Sequence, residues 1–255
     1  MRKQHSARPH PADLLVATAL LTRLPLPHLP DHLFARQARA VWAFPLVGAV
    51  VGGLACAAGW VAMTLGLPVS VAAGVILATQ IAATGAMHED GLADTADGFW
   101  GGWTRERRLQ IMRDSHIGTY GVLVLILTVG ARWLALTALL PLGMAAIMAA
   151  AILSRAALPP LMAALPLART DGLAHGVGTA IGSTAILSLV LGVGLAWLAL
   201  GGAALATGLC AGLILSGLAL LARARIGGHT GDVLGAAQQL TEVTVLLTAL
   251  VLAPF

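Results

Sequence analysis

Long apolar segments alternate with short polar connections along most of this 255-residue chain. A helix needs about 20 mostly apolar residues to cross a hydrocarbon core of about 30 Å. Six segments meet this requirement, and a seventh meets it less well because Gln238, Gln239 and Glu242 lie in its first turns. The six are residues 41–66, 68–87, 117–140, 142–165, 179–200 and 203–222, and the seventh is 237–253. The pattern predicts an all-α, polytopic integral membrane bundle of six to seven transmembrane helices, with residues 1–255 as one domain.

A shorter apolar segment, from Asp13 to Leu24, precedes the first predicted span. Because it is only about a dozen residues long and ends at a proline-rich stretch, it predicts an interfacial or re-entrant helix. A signal peptide is the alternative, since Arg2, Lys3 and Arg8 precede the apolar residues. No small-residue cleavage site follows them, which argues against that alternative.

The composition agrees with a membrane protein. Hydrophobic residues make up 58% of the chain and charged residues 10%, and the mean hydropathy is +0.87. A soluble domain of this length is less apolar. Abundant Gly and Ala favour close helix packing, because small side chains let backbones approach. Cys56 and Cys210 lie inside predicted spans and indicate neither a disulfide framework nor a zinc site.

The basic residues lie on one side of the predicted spans. All but two of the 15 Lys and Arg residues fall in the N-terminal region or in loops that end on the same side, and the opposite turns carry none. By the positive-inside rule, the N-terminus and the long loops face the cytoplasm. This topology explains the sequence pI near 10.0, so no nucleic-acid partner is expected.

The other two, Arg132 and Arg155, fall near the middle of predicted spans. An arginine there costs roughly 2.5–3.5 kcal/mol on insertion scales, so each is expected to face the bundle interior and to have a partner. Glu242 is the only carboxylate inside a predicted span and is the candidate partner. Two interpretations stay open, a structural ion pair and a contact with substrate.

An acidic run, MHEDGLADTADGFWGG at 87–102, directly follows the second predicted span. If it continues as a helix, Asp90, Asp94 and Asp97 stand at i, i+4 and i+7 on one face, with Glu89 beside them. Two such charges at about 4 Å repel by about 4 kcal/mol at an effective dielectric near 20, so a cation is expected there. Hard oxygen ligands suit Mg²⁺ or Mn²⁺ better than zinc.

Glycines and basic residues surround these acids. Glycines at 91, 98, 101 and 102 lack a Cβ and would let a phosphate approach the backbone. The basic sequence RERR (105–108) follows, and then come Arg113, Asp114, Ser115 and His116. Together these residues predict phosphoryl-transfer chemistry in a catalytic loop at 88–116. A loop that merely keeps its charges in water is the alternative, but it does not explain four acids on a helical stripe.

A second polar segment, GGHTGDVLGAAQQLTE at 227–242, separates the last two predicted spans. Asp232 is expected to complete the metal site, and Gly227, Gly228, His229 and Thr230 are expected to contact an anionic group. Residues 223–236 are therefore predicted to form a second catalytic loop on the same membrane face. The related stretch TDGLAHGVG (170–178) is interpreted as an ordinary loop.

In order and spacing, six segments resemble the cobalamin synthase family, whose members are adenosylcobinamide-GDP ribazoletransferases. They are LTRLPLP (21–27), FPLVGAVVGG (44–53), HEDGLADTADGFWGG (88–102), IMRDSHIGTYG (111–121), SR (154–155) and GGHTGDVLGAAQQLTE (227–242). The resemblance implies that α-ribazole, or its 5′-phosphate, attacks adenosylcobinamide-GDP and expels GMP. It also implies a Mg²⁺-dependent, multi-pass transferase domain in the bacterial inner membrane, with its active site facing the cytoplasm.

The resemblance further implies roles for individual residues. The implied metal ligands are Glu89, Asp90, Asp94, Asp97 and Asp232. The implied catalytic residues are Asp94, Asp97 and Asp114. The implied substrate-binding residues are Arg113, Ser115, His116, Arg155, His229 and Thr230. One departure is Gln239, which stands where an acid is expected.

Two other functions are weighed against this one. Asp94-Thr95-Ala96-Asp97-Gly98 fits the Asp-x-x-Asp-Gly element of CDP-alcohol phosphatidyltransferases, but the Ala-Arg expected after it is missing. A transporter is disfavoured because the acids cluster at one membrane face and no paired repeat is found. A homo-oligomer, or a complex with other cobamide-assembly enzymes, is a further hypothesis.

Overall fold

Fourteen α-helices make up most of residues 9–253, the part of the chain that the computed structural model describes. In chain order they are α1 Ala12–Leu21, α2 Asp31–Phe34, α3 Gln37–Ala40, α4 Phe44–Thr64, α5 Val69–Thr84, α6 Met87–Gly101, α7 Arg105–Ile111, α8 Thr119–Leu139, α9 Ala145–Ala156, α10 Leu158–Ala164, α11 Gly172–Val177, α12 Gly182–Leu200, α13 Ala203–Ile226 and α14 Gly231–Leu252. Extended pairing among the described residues is limited to an isolated parallel bridge between Leu167 and His229. The predicted all-α class is confirmed.

Six helical segments are long and apolar enough to cross a membrane, and a bent helix pair brings the number to at most seven. The six are Gln37–Thr64, Thr119–Leu142, Ala145–Ala164, Gly182–Leu200, Ala203–Ile226 and Gly231–Leu252. The predicted number of six to seven is therefore confirmed, but two individual spans differ. The seventh predicted span is the full-length helix α14, with 22 residues, because its polar side chains are buried inside the bundle. The segment predicted at 68–87 forms only the 16-residue α5. This helix is too short to cross a membrane by itself and is long enough only when α6 is added.

A sharp bend separates α5 from α6. Gly85 and Ala86 both adopt left-handed backbone conformations, with φ of 63° and 58°, and α6 leaves α5 at 84°. Glycine tolerates this conformation, whereas Ala86 is strained in it. Most of the segment predicted as a loop at 88–116 is therefore helical, in α6 and α7. Asp90, Asp94 and Asp97 therefore do lie along one face of a helix, α6.

Backbone contact between α6 and α14 joins the two polar segments. A Cβ on Gly91 would lie 2.8 Å from the carbonyl oxygen of Asp232, and one on Gly235 would lie 3.1 Å from Cα of Gly91. The two glycines thus allow an approach that side chains would prevent. Only residues 227–230 of the predicted loop 223–236 are non-helical, because α13 runs to Ile226 and α14 begins at Gly231.

The predicted N-terminal helix is present as α1, with 10 residues. Its Asp13 is fully buried and accepts hydrogen bonds from Arg36 Nε at 2.8 Å and from Trp42 Nε1 at 3.0 Å. The helix is therefore tied to the chain that leads into α4. Arg2, Lys3 and Arg8, on which the signal-peptide alternative depends, lie outside the described residues.

Candidate active site

Arg132 of α8 lies at the centre of a buried polar network and is 1% exposed. Its Nη1 donates to Glu89 Oε1 and Gln239 Oε1, each at 2.8 Å. Its Nη2 donates to Glu242 Oε1 at 2.8 Å and to Gln80 Oε1 at 3.0 Å. The expected interior partner of Arg132 is thus Glu242, and Glu89 from the acidic run is a second one. Four helices are joined by one guanidinium group.

Arg155 shares Glu242 with Arg132. Its Nη1 lies 3.5 Å from Glu242 Oε2 and donates to the carbonyl oxygen of Ala151 at 3.0 Å. Gln238 donates to the same carboxylate oxygen. Two arginines and two glutamates therefore balance their charges inside the bundle, as the cost of an isolated buried charge requires. These contacts favour the structural interpretation of Arg155, and its contact with substrate stays a prediction.

Asp97 is bound to the start of α8. Its Oδ2 accepts a hydrogen bond from the amide of Gly118 at 2.7 Å, and its Oδ1 accepts one from the amide of Gly121 at 2.9 Å. A Cβ on either glycine would collide with this carboxylate. The N-terminus of a helix attracts negative charge, so Asp97 stabilises the entry into α8 and fixes it against α6.

The remaining acids lie toward the more accessible side. Asp90 is exposed, Asp94 is half-buried, and the side chain of Asp232 is 17% exposed. Burial, together with the charges of Asp90, Asp232 and Asp97, raises the pKa of Asp94 to about 7. The repulsion expected from the sequence is therefore present, and it extends from α6 to α14.

The donor chemistry of these acids suits Mg²⁺, which prefers carboxylate oxygen. Among the described residues, however, no three His, Cys, Asp or Glu side chains stand in positions that could hold a metal ion. Side chains would have to rotate before an ion could bind. Of the five ligands expected from the sequence, Glu89 and Asp97 are held by short contacts to Arg132 and to backbone amides. Asp232 has longer contacts, to Thr230 at 3.1 Å and to Arg169 at 3.4 Å. With Asp90 and Asp94 it forms the set that is more available to an ion.

Residues 113–116 face the acids across an open cavity of about 340 Å³. Asp90, Asp94, Arg113, Asp114, Ser115 and His116 are among the lining residues. His116 Nδ1 lies 2.7 Å from Asp114 Oδ1, and the hydrogen bonds from His116 hold the pKa of Asp114 below its usual value. The structure thus brings the acidic run and residues 113–116 together, as their chemistry suggested.

His229 and Thr230, in the polar segment 227–242, have more local roles than expected. The backbone of His229 accepts a hydrogen bond from Ala168 and donates one to Pro166, both at 2.9 Å. The imidazole is fully buried, neither ring nitrogen has a partner, and burial lowers its pKa. Thr230 caps α14 by accepting from Val233 N at 3.3 Å, and it donates to Asp232 Oδ2 at 3.1 Å. Their contact with substrate stays a prediction.

The expectation that the glycines open the backbone to a phosphate is wrong for Gly91, Gly98 and Gly102, which pack against other protein atoms. A Cβ on Gly101 would meet only Ile111, at 3.5 Å. Arg105 and Arg108 do not point their donors at the cavity. Arg105 donates to the carbonyl oxygens of Ile226 at 2.8 Å and Ala168 at 2.7 Å, and Arg108 donates to those of Gly102 at 2.9 Å and Arg225 at 3.0 Å.

Arg169 is a site residue that the sequence interpretation missed. Its Nη2 lies 3.4 Å from Asp232 Oδ2, and its Nε lies 3.4 Å from Asp171 Oδ1. Asp171 also accepts from Arg113 Nη2 at 2.7 Å. The sequence does contain a signal for Arg169, since TDGLAHG, whose Asp-Gly also occurs in the acidic run, follows it directly.

The fold and the site define a multi-pass membrane protein in which acidic and basic side chains from distant segments line one cavity. The family model described as cobalamin-5-phosphate synthase matches residues 13–250, and the chain belongs to that family. Proteins called adenosylcobinamide-GDP ribazoletransferase are similar over nearly the full length. The one from Bradyrhizobium diazoefficiens is 45% identical and covers 93% of each chain. The one from Mesorhizobium japonicum is 43% identical and covers 93% of this chain and 92% of its own. No solved structure matches the chain.

Proposed function

We propose that this protein is an adenosylcobinamide-GDP ribazoletransferase that acts in the assembly of the cobalamin nucleotide loop. Family membership over residues 13–250 supports the activity. The structural observation that carries the proposal is the cavity in which Asp90 and Asp94 face residues 113–116. Phosphoryl transfer asks a protein mainly for positioning and charge compensation, and this cavity has groups of both signs.

The reaction forms one bond and breaks one. A free ribose hydroxyl oxygen of α-ribazole, or of α-ribazole 5′-phosphate, whose own 5′-oxygen is already esterified, bonds to the phosphorus that carries the cobinamide. The bond from that phosphorus to the bridging oxygen breaks, and GMP leaves with the electron pair. The hydroxyl proton passes to a carboxylate that lines the cavity, for which Asp90, Asp94 and Asp114 are the available groups. Arg113 lies beside them and is suited to hold a phosphate oxygen.

Mg²⁺ belongs to this proposal. Asp90, Asp94 and Asp232 would hold the ion, because burial and the neighbouring acids raise the pKa of Asp94 and because carboxylate oxygens suit a hard cation. When bound, Mg²⁺ would neutralise charge on the diphosphate and make its phosphorus more electrophilic. Glu89 and Asp97 are assigned to positioning α6 and α8, since their carboxylates are already held by Arg132 and by backbone amides.

The proposed location is the bacterial inner membrane, with the cavity facing the cytoplasm. This orientation is supported by the basic residues that accompany the cavity-forming segments, including Arg105, Arg107, Arg108 and Arg113. None of these features requires a lipid substrate.

The direct test incubates purified protein with adenosylcobinamide-GDP, α-ribazole and Mg²⁺, and measures GMP and the cobamide product. Equal amounts of both are expected, and chelation of Mg²⁺ should stop their formation. A parallel reaction offers CDP-diacylglycerol with an alcohol acceptor and should release no CMP. Absence of GMP from well-folded protein, or release of CMP, would contradict the proposed activity.

A further inference from the structure

Arg169 lies between the polar segment 227–242 and residues 113–116. It approaches Asp232 at the start of α14, and through Asp171 it is linked to Arg113. Its charge also acts on Asp94 of α6, whose pKa it lowers against the larger effect of burial and the neighbouring acids.

The backbone holds Arg169 in this position firmly. The bridge between Leu167 and His229 fixes the chain just before it, with hydrogen bonds of 2.9 Å on both sides. On the other side, Gly172 has a φ of 81°, and a Cβ there would lie 3.1 Å from Arg169 Nη2. The side chain is 14% exposed and therefore lies largely within the protein.

The side-chain contacts of Arg169, in contrast, are weak. Both ion-pair distances are 3.4 Å, longer than the 2.7–2.9 Å usual for charge-assisted hydrogen bonds. Its Nη1 is buried and has no hydrogen-bond partner. A buried guanidinium nitrogen without a partner is costly, so this group is suited to a further acceptor. A phosphate offers two oxygens that match the planar guanidinium.

We propose that Arg169 is a substrate-binding residue that balances the neighbouring acids and binds the diphosphate of the nucleotide donor. The inference rests on the proposed function, which supplies the diphosphate. Arg169 and a Mg²⁺ ion held by Asp232 would both be cations close to the same carboxylate, so they would repel each other. The guanidinium would then be less fully compensated by Asp232 and would be available to a diphosphate oxygen.

This arrangement predicts opposite effects of one substitution. In Arg169→Gln, Mn²⁺ used as a spectroscopic substitute for Mg²⁺ should bind about tenfold more tightly, because a competing positive charge is lost. The KM for adenosylcobinamide-GDP should rise about tenfold or more, because a charged hydrogen-bonding partner of the diphosphate is lost. The KM for α-ribazole should stay within about twofold of the wild-type value.

Two further variants complete the test. Arg169→Lys keeps the charge and loses the planar fork, so Mn²⁺ binding should match wild type while the KM for the donor still rises. Arg223→Gln, an exposed arginine at the end of α13, removes the same charge outside the cavity and should change neither quantity. If Arg169→Gln does not fold, Arg169→Lys alone decides the matter by its donor KM.

The outcomes separate this inference from the proposed function. If wild-type protein releases no GMP, the proposed function fails. If wild type is active but Arg169→Gln leaves Mn²⁺ affinity unchanged, the role of Arg169 is wrong. A loss of affinity for Mn²⁺, donor and acceptor together would show that Arg169 only supports the structure, and would also overturn the inference.

Discussion

Glu89 of the acidic helix α6 forms a 2.8 Å ion pair with Arg132 of the membrane-spanning helix α8. The pair joins the part of the chain that carries the candidate chemistry to the interior of the bundle, where Arg132 also contacts Glu242. Glu89 and Arg132, two charged residues that could have bound substrate, therefore hold their helices in position.

Removing Arg132 should destabilise the protein strongly. In Arg132→Met, Glu89 and Glu242 lose their closest cationic partner, and breaking a buried pair typically costs about 3–5 kcal/mol. Thermal unfolding of protein in lipid nanodiscs should show a large decrease in Tm. Glu89→Gln should cost less, since Arg132 keeps Glu242. Equal, small shifts in both variants would contradict the role given to this network.

Asp94 and Asp97, although three residues apart on one helix, should respond differently to the same substitution. Asp97→Asn replaces an oxygen that accepts from Gly118 or Gly121 by an NH₂ group, leaving an amide unpaired at a cost of about 1–3 kcal/mol. Asp94→Asn has no such contact to lose and should keep its Tm while abolishing turnover.

Paired Tm and GMP-release measurements on the two variants decide this point. Wild-type Tm in Asp97→Asn would show that its backbone contacts do not matter. Near-normal turnover of Asp94→Asn at saturating Mg²⁺ would remove Asp94 from the site.

Metal binding should depend on pH because Asp94 has a pKa of about 7 without a cation. The groups that act on it are Asp90, Asp97, Asp232 and Arg169. The metal binds the ionised carboxylate, so protons compete with it below pH 7, and affinity should fall about tenfold per pH unit there. Above pH 7 the affinity should level off.

Mn²⁺ titrations between pH 5.5 and 8.5 measure this dependence. Asp94→Asn should bind more weakly and lose most of the slope between pH 6 and 7. An equally steep slope in that variant would assign the proton to another group.

Several features of the fold were predictable because the bilayer allows few alternatives. Apolar length fixed the number of spans, and the cost of a buried charge required an interior partner for Arg132, which Glu242 supplies. The acidic stripe followed from helical spacing. The different roles of the acids in that stripe could not be predicted from spacing. Asp97 is held by the amides of Gly118 and Gly121, which are more than 20 positions away. Arg169 was missed because its position depends on the long-range bridge between Leu167 and His229.

Arg105 provides a test of whether the basic sequence at 105–108 has a structural role or binds phosphate. Its guanidinium donates to the carbonyls of Ile226 and Ala168, and thereby ties α7 to the end of α13 and to the segment that carries Arg169. Arg105→Gln should therefore lower stability by about 1–3 kcal/mol through the loss of charged hydrogen bonds. Any rise in KM for the donor should be accompanied by this loss of stability.

Arg107→Gln serves as the matched control, because Arg107 is exposed and its side chain contacts Gln110 within the same helix. Thermal unfolding and donor KM, measured for both variants, distinguish the alternatives. An unchanged Tm with a raised KM in Arg105→Gln would instead indicate that this arginine binds phosphate.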